Sequence, residues 1–208
     1  MKALSIIIRP LKETQYSYDK ISEIVSRAHI INKEKGLHYR TASMNAEEVE
    51  RSVGEGITYV ALCDQDVVGT ASVCKQMGTD WYDKGQLVVH YCFDAVLPEY
   101  QGLGIMKLID KERDKFSVSI GALLIRSGTA EGNTIQRHKY EKSGFVPVDY
   151  KRIKGNNFCS VIYAKWIDKG HQPSKFICLS HFYCRKYFVR IRHQIARLYK
   201  SIKQLFIG

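Results

Sequence analysis

The stretch Leu97–Leu108, LPEYQGLGIMKL, constrains this chain more than any other. It follows the apolar run Gln86–Val96 and leads into residues with helical character, Leu103–Phe116. Gly102 and Gly104 stand one residue apart at the joint. Glycine lacks a Cβ, so the chain can turn sharply there and another molecule can approach the backbone. A strand, a tight turn and a helix start leave N–H groups pointing outward, and the helix dipole favours negative charge beside them. Such a joint suits a phosphate group. Taken alone, it is equally a helix that begins with a turn. The dinucleotide fingerprint GxGxxG is not completed, and the P-loop GxxxxGK[ST] is absent.

The other segments set this joint in a mixed fold. Leu4–Arg9 is a β-branched run ended by Pro10, a first strand. Asp19–Lys35 places Ile21, Ile24, Val25, Ala28 and Ile31 at helical spacing, and Gly36 stops it. Asn45–Val53 is a shorter helix with Glu47 and Glu48 in its first turn. Ile57–Cys63 and Val67–Gln76 are strands joined by the polar turn Asp64-Gln65-Asp66. Gln86–Val96 is apolar on both faces and therefore central. Ala122–Arg126 is a short buried strand and Thr134–Lys142 a helix stopped by Ser143-Gly144. Val146–Tyr150 and Phe158–Lys165 form a final strand pair. This order predicts an α/β (α+β) fold with one mixed sheet.

The net charge of +11 is concentrated at one end. Residues 169–208 hold nine of the 32 Lys and Arg and no Asp or Glu, while residues 1–168 are nearly neutral. The shift divides the chain into a body, 1–168, and a basic extension, 169–208. No apolar run approaches the length of a membrane span, and Arg9-Pro10 interrupts the N-terminal apolar run too early for a signal peptide. A cytoplasmic protein is expected. The cysteines form no CxxC pair, so neither a disulfide framework nor a zinc knuckle is expected. Cys178-x-x-His181-x-x-Cys184 is the one metal-like spacing, and without a clear fourth ligand no metal is expected.

The glycine joint resembles the characteristic segment of the GNAT superfamily, the acyl-CoA N-acyltransferases. That segment is a strand, often Pro-Glu-Tyr, then Gln/Arg-x-x-Gly-x-Gly/Ala. Here it reads Val96, Pro98-Glu99-Tyr100, then Gln101-Gly102-Leu103-Gly104-Ile105-Met106. It matches at Gln101 and Gly104 and departs at Met106. A second family segment follows: Asn133, a helix, and Tyr140-Glu141-Lys142-Ser143-Gly144-Phe145. The resemblance spans roughly residues 4–166 and implies a mostly antiparallel central sheet flanked by helices.

It also implies roles. The amides of Gln101, Gly102, Leu103, Gly104, Ile105 and Met106 would cradle the pyrophosphate of acetyl-CoA, as the turn itself suggests. At Met106 the side chain would turn aside and leave its N–H available. Asp94, Ala95 and Val96 would pair main chain with the pantetheine arm, and the Val96 N–H would face the oxyanion. Tyr140 would protonate the leaving thiolate; it would equally serve to pack its helix on the sheet. His90 would act as the base, on one face with Cys92 and Asp94 by strand alternation, with an imidazole pKa near neutral. A hydrogen-bonded core histidine is the plain alternative. Asn133 would orient the cofactor or a water, or cap its helix. The acceptor would meet His38, Tyr39 and Arg40 in the connection Gly36–Thr41, with the loop Met77–Gly85 (Asp80, Trp81, Tyr82) as a second candidate wall.

In the extension, Phe188, Ile191, Ile195, Leu198, Ile202 and Leu205 repeat at helical spacing among Arg and Lys, a basic amphipathic helix. Its apolar stripe would meet the body or a second copy of the chain, or lie on an anionic membrane surface. Nucleic acid is not expected, because it would not require the aromatic bulk of Phe176, Phe182, Tyr183, Tyr187 and Phe188. The expected activity is acetyl transfer from acetyl-CoA to a primary amine of a small molecule or amino sugar, by direct attack in a ternary complex. The alternative is a non-catalytic acyl-CoA-binding module whose basic tail mediates association.

Overall fold

The computed structural model describes residues 5–207, with side chains up to residue 199. In chain order the elements are β1 (Ile6–Pro10), α1 (Tyr18–Ala28), α2 (Ile30–Glu34), α3 (Ala46–Val53), β2 (Ile57–Cys63), β3 (Asp66–Met77), β4 (Leu87–Val96), α4 (Ile105–Ser119), β5 (Leu124–Ala130), α5 (Thr134–Lys142), β6 (Val146–Arg152), β7 (Cys159–Trp166) and α6 (Lys175–Ile207). Side-chain caps start α1 and α3: Ser17 Oγ accepts from the Asp19 N–H, and Asn45 and Glu48 form a capping box. The expected helix Asp19–Lys35 divides at His29, which sits at φ −91° and ψ 0° and joins α1 to α2. Leu4, at the start of the expected first strand, lies outside the described residues.

One seven-stranded sheet runs β1-β2-β3-β4-β5-β7-β6, antiparallel throughout except where β4 lies parallel to β5. β4 is central, as its apolar faces require. On one side Ile21, Ile24, Val25, Val49 and Val53 of α1 and α3 pack on Val60, Phe93 and Ala95. On the other, Ile105 and Ile109 of α4 pack on Tyr59, Ala61 and Ala71.

β4 is not a regular strand. The β3–β4 register shifts between Thr70 and Ser72, and Phe93 takes a left-handed φ of 56°. This is a β-bulge, and it overturns the expected alternation. Cys92 packs on the α1 side, beside Cys74, which lies opposite His90. Asp94 is turned to the other side, where it meets Arg113 of α4.

Two further expectations are corrected. Cys74 and Cys92 form a disulfide, though no disulfide was expected. Their 18-residue separation carries no motif; the antiparallel pairing of β3 and β4 makes them neighbours. The extension is helical, but α6 docks on β6 and the adjoining core through Cys178, Phe182 and Val189 rather than through the apolar stripe read from the sequence. Phe188, Ile195 and Leu198 of that stripe are exposed, and the side chains of Ile202 and Leu205 lie outside the described residues. The sequence period marks the widest apolar arc, whereas the docking face mixes a few apolar side chains with ion pairs from Arg185 to Asp149 and from Lys186 and Arg190 to Glu131.

Candidate active site

β4 and β5 pair only at Val88–Leu124, Val89–Ile125 and His90–Arg126. Beyond that point β4 continues to Val96 and β5 to Ala130, each paired only to its outer neighbour. The two strands part and leave a slot between their C-terminal halves. Leu97 donates its N–H to Val68 O at 2.9 Å. Antiparallel pairing alternates, so Val96, one residue inward, directs its N–H and C=O away from β3 and into the slot.

The glycine turn lies at the mouth of this slot. Gln101 Nε2 donates to Val96 O at 3.0 Å and ties the turn to the end of the strand. Gly102 (φ 82°) and Gly104 (φ 77°) are both left-handed, and Gly104 caps α4. A Cβ at either glycine would meet nothing within 4 Å; it would project into open space over the helix start. The N–H groups from Gly102 to Lys107 have no acceptor among the described residues. Leu103 is exposed, while Ile105 points into the core. Met106, half-buried, packs against the α4-side core, and its sulfur lies 3.9 Å from Arg113 Nη2. The thioether therefore leaves the turn clear. An open cradle with unpaired N–H groups at a helix N-terminus fits the pyrophosphate of acetyl-CoA.

Tyr140 of α5 reaches β5 just past its last pairing with β4. Its Oη lies 2.6 Å from Ser127 Oγ, and its ring packs on Phe145 and Tyr163. The ring packs its helix on the sheet, and the hydroxyl meets the first β5 residue beyond the pairing with β4. Burial, reinforced by the Asp94 carboxylate, raises its pKa well above that of an ordinary phenol, so the group holds its proton.

His90 sits at the apex where the strands part. Burial, and then the Arg126 guanidinium, push its pKa down to about 4, not near neutral as expected. At physiological pH it is an uncharged imidazole and a weak base. Asp94 and Ala95 occupy the slot edge of β4, and Ala95 turns its side chain to the α1 core. Arg113 binds the Asp94 carboxylate through two nitrogens at 2.6 and 3.3 Å, binds Asp110 as well, and stacks over the Tyr91 ring at 4.0 Å.

Asn133 caps α5, its Oδ1 accepting from the Gln136 N–H at 3.2 Å. Its Nδ2 donates to Tyr39 Oη at 3.3 Å. The same phenol oxygen accepts from the Ala130 N–H at 3.2 Å and lies 3.1 Å from Thr129 Oγ1. Tyr39 thus crosses from the α2–α3 connection to the end of β5. The β6–β7 loop holds this connection. Asn157 accepts from the His38 N–H and donates to Gly36 O, Asn156 accepts from the Arg40 N–H, and Phe158 packs edge-on against Tyr39. His38 and Arg40 are exposed, and Arg40 leans towards Glu48 at 3.9 Å.

Sequence reasoning missed Ser127, Arg113, Asn156, Asn157 and Phe158. The polar pair Asn156-Asn157 and the arginine interrupting the buried face of α4 were the signals available. The second candidate wall is corrected. The loop Met77–Gly85 lies at the opposite end of β4 from Val96. There Tyr82 is buried against Trp166, Asp80 and Asp83 pair with Arg126, and Trp81 stacks on His181. Cys178, His181 and Cys184 do not converge: the first is buried, the imidazole meets Val148 O, and the last is exposed. Among the described residues no three potential ligands gather.

Residues 19–145 match the acetyltransferase (GNAT) family. No curated protein matches the chain closely enough in sequence to count as a relative. Among solved structures, an acetyltransferase from Streptococcus agalactiae superposes over 78% of this chain and 98% of its own, at 16% identity and a TM-score of 0.59. The ribosomal-protein-S18-alanine N-acetyltransferase of Escherichia coli covers 79% of this chain and 95% of its own, at 15% identity and a TM-score of 0.58. A GNAT family acetyltransferase from Elizabethkingia anophelis, solved with acetyl-CoA bound, covers 78% and 98%, at 16% identity and a TM-score of 0.53. These structures share the fold, and the sequence match over most of the body carries the assignment: this chain belongs to the GNAT acetyltransferase family.

Proposed function

We propose that the chain transfers an acetyl group from acetyl-CoA to a primary amine of a small molecule or amino sugar, by direct attack in a ternary complex. The observation that carries this reading is the slot between β4 and β5, with an open N–H cradle at its mouth and the Tyr140 hydroxyl bonded to Ser127 on its β5 side. The cradle amides of Gln101 to Met106 hold the pyrophosphate, and the slot edge Asp94–Val96 pairs with the pantetheine arm. The Val96 N–H faces the oxygen on which charge develops. Tyr140 keeps its proton at Oη until a thiolate needs it. His90, uncharged at the apex, accepts a proton from the amine directly or through water. Tyr39, with His38 and Arg40 beside it, forms the acceptor wall, and Asn133, bonded to the Tyr39 hydroxyl, orients the cofactor or a water.

Residues 1–168 carry this chemistry and 169–208 act as an accessory. Among the described residues no helix is long and apolar enough to cross a membrane, and a cytoplasmic site of action accompanies the proposal. The test is release of free thiol from acetyl-CoA over a panel of amines, amino acids, amino sugars and peptides. Turnover with a small-molecule amine or an amino sugar supports the reading, and turnover with peptides alone overturns its acceptor class. CoA binding by calorimetry without turnover on any acceptor replaces it with an acyl-CoA-binding module.

A further inference from the structure

The two faces of α6 do different things. At about 100° per residue, Cys178, Phe182 and Val189 fall within an arc of about 40°, and these are the residues packed on the body. Measured from Cys178, the residues Phe176, Tyr183, Tyr187, Phe188, Ile195 and Leu198 fall between about 140° and 280°. Each is at least 61% exposed. Docking thus leaves the wider apolar face pointing away from the protein. Arg192 stands at one flank, at about 320°, and Arg190, paired with Glu131 of the body, at the other, at about 120°.

We propose that this outer face of α6 lies in the interface of an anionic lipid bilayer. Its form is that of an interfacial helix: aromatic and branched side chains in the middle, cations at the edges, and no carboxylate between them. Charge decides between the occupants. Residues 169–208 contain no Asp or Glu. Pairing this face with the same face of a second copy would bring basic flanks together with no carboxylate from either helix. The nearby body carboxylates, Asp149 and Glu131, are already engaged by Arg185, Lys186 and Arg190. Anionic headgroups supply the missing countercharge, and the acyl boundary takes up the aromatic rings. A nucleic acid would supply the charge but would leave that apolar face in water.

The test is co-sedimentation of the full chain with phosphatidylcholine vesicles, with and without phosphatidylglycerol, at low and raised salt. Binding to the anionic vesicles is expected, about 10-fold stronger than to neutral ones and weakened by salt. The variant F188S/I195S/L198S, altered only at exposed positions, should keep the parent melting temperature and lose vesicle binding at least about 10-fold. Equal binding to neutral vesicles, or undiminished binding by the variant, overturns the proposal. A vesicle-free dimer that the variant converts to monomer also overturns it, in favour of a second copy. So does retention on duplex DNA that the variant loses. None of these outcomes depends on acyl transfer, so this proposal and the enzymatic reading fail separately.

Discussion

Arg113 on α4 grips Asp94 on β4, nitrogen to oxygen at 2.6 and 3.3 Å, on the side of the sheet to which the bulge at Phe93 turns that carboxylate. The guanidinium is 1% exposed and also binds Ser72 O, the carbonyl across the same register shift. Both ends of the irregularity are therefore held by one side chain. A left-handed Phe93 costs about 1–3 kcal/mol and persists only where its surroundings impose it.

Arg113→Leu removes that constraint and leaves Asp94 beside Asp110 without their shared cation. A loss of about 3–5 kcal/mol in unfolding free energy is expected. Urea titration measures it, and an unchanged midpoint would show that the bulge stands without Arg113. Arg113→Lys keeps the charge but not the two-pronged grip, and should fall between the two.

Tyr140→Phe keeps the ring packed on Phe145 and Tyr163 and removes only the hydroxyl near Ser127. If the phenol protonates the thiolate, kcat falls about 100-fold while the KM for acetyl-CoA stays within about 2-fold. A variant as fast as the parent removes Tyr140 from the chemistry and leaves it a packing residue.

His90 gives a pH signature. Its native pKa of about 4 lies below the ordinary 6.5. Between those values the unfolded chain binds a proton that the native chain does not. Stability is therefore full above about pH 6.5 and declines as pH falls towards 4, by up to about 3 kcal/mol from this group. Burial lowers His29 as well, and its contribution has the same sign. His90→Gln should flatten part of that slope in denaturation curves at pH 4.5 to 7. The imidazole is uncharged across the working range, so no activity limb near 6.5 should come from it. A limb there that disappears in His90→Gln would contradict the low pKa.

Much of this was legible in the sequence, because local rules dominate where it was legible. The turn Gln101–Met106 announces itself through two glycines that must take positive φ, and the Asn133 cap through its position before a helical run. The central place of β4 followed from its two apolar faces. What escaped depends on tertiary pairing. A bulge is one extra residue opposite its partner strand, and nothing in FDA at 93–95 marks it. The disulfide, the grip of Arg113 and the clamp of Asn156 and Asn157 on the connection around Tyr39 join residues distant in sequence. The docking face of α6 escaped for another reason: the stronger apolar period lies on the side that the body does not use.

Met106 separates the cradle from its support. The family pattern has a small residue there, yet the structure sends the thioether into the core beside Arg113 and leaves the backbone N–H at the helix start. Binding of CoA should therefore depend on the backbone of residue 106, and stability on its side chain. Met106→Gly loses buried contacts and adds a flexible residue to the first turn, at a cost of about 2–4 kcal/mol. Its CoA affinity by calorimetry, measured well below the lowered melting point, should stay within about 3-fold of the parent, since the N–H groups remain. A stable variant with a large loss of CoA affinity would instead show that the sulfur holds part of the cofactor site in place.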